Sequence, residues 1–160
     1  MGPQAKRVLR WLARLPIVLY DHDLGWLLGR RFLMLTHVGR RSGRRYRTVL
    51  EVIGAKSDSA EVMVMVGLGR SADWYRNILA QPMTDVAIGR ERFRAVYREL
   101  GDEEAAALLA AYERRNRALA VVIRQVLSRL VGWRYDGTPD QRLRLVRERP
   151  VIAFRPAGHS

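Results

Sequence analysis

The 160-residue chain is expected to form an α+β fold: a meandering antiparallel β-barrel of about six strands, flanked by helices at both ends of the sequence. Two observations carry this. Between Phe32 and Glu99 the apolar residues recur with period two or in short runs bounded by turn residues, the pattern of strands in an antiparallel sheet. Outside that stretch they recur at helical spacing. The length suits one domain, divided into a helical N-terminal segment 1–31, a barrel 32–99, helices over 102–148 and a closing strand at 150–155.

Residues 4–15 place Val8, Trp11, Leu12 and Leu15 on one face of a helix, with Lys6, Arg7, Arg10 and Arg14 on the others, and Pro16 stops it. Strands follow at Phe32–Val38, Arg45–Ala55, Ala60–Gly67, Thr84–Ile88 and Arg92–Glu99. Ser57-Asp58-Ser59 and Gly89-Arg90 are short enough to close antiparallel hairpins. A short helix is expected over Asp73–Gln81, capped by Ser71 or Asp73 and halted before Pro82. Asp102-Glu103-Glu104 opens a longer helix, because carboxylates suit the positive end of the helix dipole. A further helix over 118–131 ends at Gly132, Thr138-Pro139 caps another that runs to Arg147, and Pro150–Phe154 is the last strand.

Composition narrows the chemistry. Cysteine is absent, which excludes disulfides, thiolate catalysis and cysteine-ligated metal sites, and makes the cytoplasm the expected compartment. His22, His37 and His159 form no ligand-spaced pair, so no metal is expected. No apolar run approaches the roughly 20 residues that span a bilayer, and the N-terminus carries no secretory pattern. The net charge is +13, and every basic side chain except Lys6 and Lys56 is arginine. Such a surface attracts polyanions: nucleic acid, anionic lipid or a phosphorylated cofactor. The basic, tryptophan-bearing segment 4–15 is a candidate for peripheral contact with the inner face of the plasma membrane. A nucleic-acid module would interleave aromatics with its basic residues, and only Tyr46, Phe93 and Tyr97 offer a weak version of that.

The most informative segment joins the first two strands: Gly39-Arg40-Arg41-Ser42-Gly43-Arg44-Arg45-Tyr46-Arg47-Thr48. Glycines let backbone amides turn inward on an anion, arginines present forked donors matched to phosphate oxygens, and Ser42 adds a hydroxyl. Strand alternation sets Arg45 and Arg47 on one face and Tyr46 and Thr48 on the other.

This turn, read with Thr36 before it and Arg47-Thr48-Val49-Leu50 after it, resembles the signature of the deazaflavin-dependent nitroreductase family within the flavin and deazaflavin split-barrel oxidoreductases. The block Asp73-Trp74-Tyr75-Arg76-Asn77-Ile78-Leu79-Ala80-Gln81-Pro82 is similar to that family's tryptophan–tyrosine helix. The resemblance covers residues 32–99 and implies a split β-barrel that binds coenzyme F420. It further implies hydride transfer from the reduced deazaflavin to a quinone, a nitro compound or an activated alkene. The phosphate and acidic tail of the cofactor then fall on Gly39, Arg40, Arg41, Ser42 and Gly43, with Arg45, Arg47 and Thr48 continuing the track. The loop Gly67, Leu68, Gly69 and Arg70 and the side chains of Trp74 and Tyr75 are implied neighbours of the ring. Tyr20, Trp26 and Tyr112 are candidates for the acceptor pocket. Tyr46 stands where relatives carry a further arginine, so that contact shifts to Arg45 or Arg47 or is lost. Within the same barrel, FMN, haem or another tetrapyrrole, or a cofactor carrier without turnover, are the alternatives. Monomer and homodimer are both compatible with the sequence.

Overall fold

The computed structural model describes residues 29–158; the expected N-terminal helix, Tyr20 and Trp26 lie outside them. Six strands form a closed antiparallel barrel: β1 (Phe32–Val38), β2 (Arg45–Lys56), β3 (Glu61–Met65), β4 (Thr84–Ile88), β5 (Glu91–Glu99) and β6 (Val151–Pro156). Around the barrel the order is β1-β2-β3-β6-β5-β4, with β4 returning to β1. The expected α+β split barrel is therefore present.

Period-two alternation decides what faces inward. Leu33, Leu35, Val62, Val64, Val86, Ile88, Ala95, Ile152 and Phe154 fill the barrel, joined by Trp74, Tyr75 and Ile78 of helix α1 (Asp73–Ala80), which closes one end. The alternate residues Ile53, Met63, Val151 and Ala153 point outward and form a second core with helices α2 (Asp102–Arg115), α3 (Ala120–Val131) and α4 (Pro139–Glu148). Strands buried on both faces read as near-continuous apolar runs, which is why β3 and β6 look so hydrophobic in sequence.

One strand position sets the spacing between barrel and helices. A Cβ on Gly54 would overlap Leu108 Cδ1, so glycine lets α2 rest directly on β2, beside the irregularity in the β2–β3 register between Val52 and Gly54.

Several boundaries differ from expectation for local reasons. β3 begins at Glu61 because Ala60 sits in the left-handed region (φ 54°) as the last residue of the hairpin turn. It ends at Met65 because the chain turns through Gly67 and Gly69, whose amides donate to Met65 and Val66 carbonyls. The helix expected over 118–131 starts as a 3₁₀ turn at Arg117–Leu119, since Asn116 breaks α2 and its side chain caps the Tyr112 carbonyl at 2.8 Å. Neither Ser71 nor Asp73 caps α1: Ala72 holds the N-cap position without a side-chain bond, and the Asp73 carboxylate is engaged elsewhere. Thr138 does cap α4, accepting from the Gln141 amide at 3.3 Å ahead of Pro139, and Gly132 ends α3 at φ 76°.

Candidate cofactor site

The β1–β2 connection is built by its glycines. The Gly39 amide donates to the Arg44 carbonyl at 2.8 Å and the Gly43 amide to the Gly39 carbonyl at 2.9 Å, with Gly43 at φ 68°. A Cβ on Gly39 would lie 2.5 Å from Ser42 Oγ and 2.8 Å from the Tyr46 ring, so this position admits no side chain while those two stay paired. Ser42 Oγ lies 3.2 Å from Tyr46 Oη and accepts from the Arg44 amide at 3.2 Å. The Arg41 and Ser42 amides take no part in these turn bonds.

Behind the turn, α1 supplies its anchor. Asn77, buried on α1, accepts at Oδ1 from both the Arg40 amide (3.1 Å) and Arg40 Nη1 (2.8 Å). Asp73, one helical turn earlier, receives Arg40 Nη1 and Nη2 at 3.3 and 3.2 Å. Asn77 Nδ2 meets His37 Nδ1 at 3.0 Å, and His37 Nε2 meets Thr48 Oγ1 at 3.2 Å. Because the amide nitrogen can only donate, His37 Nδ1 accepts, and the proton of the neutral ring sits on Nε2. Burial lowers the His37 pKa, against a smaller opposing pull from Asp73, and so supports that neutral form. The Tyr46 ring stacks on His37 with centroids 6.0 Å apart.

These groups surround a cavity of about 660 Å³ bounded by the turn, by Tyr46, Arg47 and Thr48 of β2, by Leu68, and by Asp73, Trp74 and Asn77 of α1. One part is cationic, with Arg40, Arg41 and Arg47; another is apolar and aromatic, with Leu68, Trp74 and Tyr46. Arg41 makes no ion pair among the described residues, and three hydrogen bonds from Nη1 and Nη2 fix the Arg40 guanidinium while Nε makes none of them. That donor set, guanidinium, amide and hydroxyl beside a flat apolar wall, fits a phosphorylated aromatic cofactor.

The residues expected from sequence divide. Gly39, Arg40, Arg41, Ser42, Arg47, Thr48, Leu68 and Trp74 line this cavity. Gly43 shapes the turn. Arg45 does not join them: its guanidinium pairs with Asp85 at 2.8 Å on the neighbouring strand side. Tyr75 is buried in the barrel end, with its hydroxyl between Arg70 Nη1 (3.0 Å) and Glu99 (3.2 Å), so Arg70 and Tyr75 brace α1 against β5 rather than reach the cavity. Gly69, at φ 80°, packs on Arg149. Gly67 faces a second, more apolar cavity of about 350 Å³ with Ile53, Met65, Leu109, Tyr112, Ile123 and Leu127. There Tyr112 donates to Glu51 at 2.8 Å, and burial, with that bond, pushes its pKa up to about 12. The two cavities meet in the chain at Gly67-Leu68. His37 and Asn77 were not singled out by sequence; the available signal was a polar residue on each of two otherwise apolar faces, His37 on β1 and Asn77 on α1.

A closed six-stranded barrel with a phosphate-type turn packed on a tryptophan helix defines a split-barrel cofactor-binding protein. Residues 22–126 match the model of the F420H(2)-dependent quinone reductase family, and the chain belongs to that family. It is an F420H2-dependent oxidoreductase, with coenzyme F420 as its cofactor. Among solved structures, an F420-H2 dependent reductase (FDR-A) is 18% identical, with a TM-score of 0.52 over 79% of this chain and 96% of that one. The protein Atu2129 of unknown function from Agrobacterium tumefaciens strain C58 is 14% identical, with a TM-score of 0.53 over 83% of this chain and 51% of that one. At these identities the two share the fold. No curated protein matches the chain at a significant level.

Proposed function

We propose that the cavity beneath the Gly39–Thr48 turn holds coenzyme F420, with Arg40, Arg41 and Ser42 on its anionic portion, Arg47 and Thr48 extending that track, and Trp74 and Leu68 forming the apolar wall. The observation that carries this is the convergence of Arg40, Arg41 and Arg47 with Trp74 on one cavity. When reduced, the cofactor supplies hydride, a proton with two electrons, so no residue need act as nucleophile. The protein's share is placement. Asn77 and Asp73 hold Arg40 in one orientation before any ligand arrives, which lowers the ordering cost of gripping a phosphate.

The acceptor is a quinone, a nitro compound or an activated alkene, received by the apolar cavity on the other side of Gly67-Leu68. Tyr112 serves there as a wall and a fixed donor to Glu51. A phenol held near pKa 12 gives up its proton reluctantly at neutral pH, which argues against it as the proton source. The basic segment 4–15 adds a peripheral contact with anionic membrane; weaker liposome binding on deleting residues 1–15 is the expected result, and unchanged binding would remove this element.

The test of the central reading is to titrate coenzyme F420 by its fluorescence and follow reoxidation of the reduced form by menadione or a nitroaromatic. Arg40→Ala and Ser42→Ala should weaken cofactor binding. A wild type that neither binds nor reoxidises the deazaflavin would end it, and tight binding of FMN in its place would assign the cavity to the other cofactor.

A further inference from the structure

Helix α3 presents an apolar surface to solvent. Val121 is 68% exposed, Val122 55%, Val126 50% and the adjoining Leu119 46%. Val122, Val126 and Arg129 follow one another at i, i+4 and i+7, forming a stripe along one side of the helix. The charge carried by this stretch of chain has one sign. From Arg114 to Tyr135 the chain contains six arginines and no carboxylate. Of these, Arg114, Arg117, Arg124 and Arg129 make no ion pair among the described residues. Elsewhere Arg30, Arg45, Arg70, Arg98, Arg144 and Arg147 each pair with a carboxylate.

Exposed valines adjoined by Arg129, with Arg114, Arg117 and Arg124 gathered beside Glu113 on the opposite flank of the helix, form a poor water-facing surface and a good bilayer-facing one. The apolar side chains can enter the boundary between headgroups and acyl chains, while arginine stems run alongside and their guanidiniums meet lipid phosphates. A protein partner of matching shape would need acidic residues spaced to four separate arginines; a leaflet of anionic lipid meets them at any spacing. We infer that the α3 face is a docking surface for an anionic bilayer. The same residues Leu119, Val122 and Val126 rim the apolar cavity that holds Tyr112, so docking would turn the mouth of that cavity toward lipid. The inference stands on the α3 surface alone and needs no cofactor.

The test is co-sedimentation of the full chain with vesicles of phosphatidylglycerol and phosphatidylcholine, and with vesicles of phosphatidylcholine alone. The variants are Val122→Asp/Val126→Asp and, as a control of equal charge change, Leu79→Asp/Met83→Asp, which alters exposed apolar residues on another face. Circular dichroism and thermal midpoints check folding of each. The expected result is binding to the anionic vesicles only, at least tenfold weaker in the α3 variant and within about twofold of wild type in the control. Equal losses in both variants would make net charge the sole cause and overturn the inference, as would undiminished binding by the α3 variant or no binding by wild type. If sedimentation velocity shows the α3 variant converting a dimer to a monomer, the face belongs to a second copy and the inference falls.

Discussion

Asn77 engages three groups at once: the Arg40 amide, the Arg40 guanidinium and the His37 ring. Each bond depends on the others, because a single amide must present its oxygen to the turn and its nitrogen to the strand. Removing Arg40 loses a charge-assisted contact worth about 1.5–3 kcal/mol, so Arg40→Ala should weaken deazaflavin binding about 10- to 100-fold in a fluorescence titration. Asn77→Leu should weaken it as well, since Arg40 loses its orientation; unchanged affinity would show that Arg40 positions itself. His37 gives a pH signature. Its folded pKa lies below the unfolded value of 6.5, so between those values the unfolded chain binds a proton that the folded chain refuses. Stability from this residue is complete above pH 6.5 and falls on acidification through that window. The thermal midpoint of wild type should therefore drop more between pH 7 and 5 than that of His37→Gln, and equal slopes would refute the account.

At the level of elements, the site depends on close approach. The β1–β2 turn meets α1 because Gly39 leaves room for Ser42 and Tyr46, and α2 meets β2 because Gly54 leaves room for Leu108. Gly39→Ala should separate the Ser42–Tyr46 pair and reduce cofactor affinity while α2 and its core stay intact; a fall in thermal midpoint with unchanged affinity would contradict this. The α4 cap is a separate, local contribution. Thr138→Ala should cost about 1 kcal/mol in denaturant unfolding, with cofactor binding unaffected, because the lost bond satisfies only the first turn of α4.

Across the whole molecule, one network ties four elements together. Arg98 of β5 reaches buried Glu61 of β3 at 2.6 Å and Glu104 of α2 at 2.8 Å, and Lys56 of β2 joins Glu104 at 2.7 Å. Bonds from Arg98 and then Lys56 hold the Glu104 pKa down at about 2. This lowered value means that its contribution is present above the ordinary carboxylate range and is lost as pH falls toward 2. Arg98→Leu would strand Glu61 in a buried site; because Arg98 is itself 42% exposed, the cost in urea unfolding should be about 1–3 kcal/mol rather than that of a fully buried pair. The α3 helix stands outside this network, and its apolar stripe gives the molecule a face directed at a bilayer rather than at its own core.

Legible from local sequence were the existence and order of the strands, the antiparallel hairpins, the helix starts at Asp73, Asp102 and Pro139, and the glycine-framed arginine turn. Each of these follows from local rules: period-two burial, proline and glycine stops, and donor chemistry concentrated within ten consecutive residues. Tertiary structure alone decided which arginine faces the cavity. Arg45 and Arg47 share a strand face in principle, yet Asp85, 40 positions away in sequence, draws Arg45 aside while Arg47 borders the cavity. It also assigned Tyr75 to the barrel end and made His37, Asn77 and Asp73 one unit, because contacts 33 to 40 positions apart leave no periodic trace in a sequence. Asp73 illustrates the difference most clearly: at a helix start it reads as a cap, and in the folded chain the nearer guanidinium of Arg40 takes its carboxylate instead.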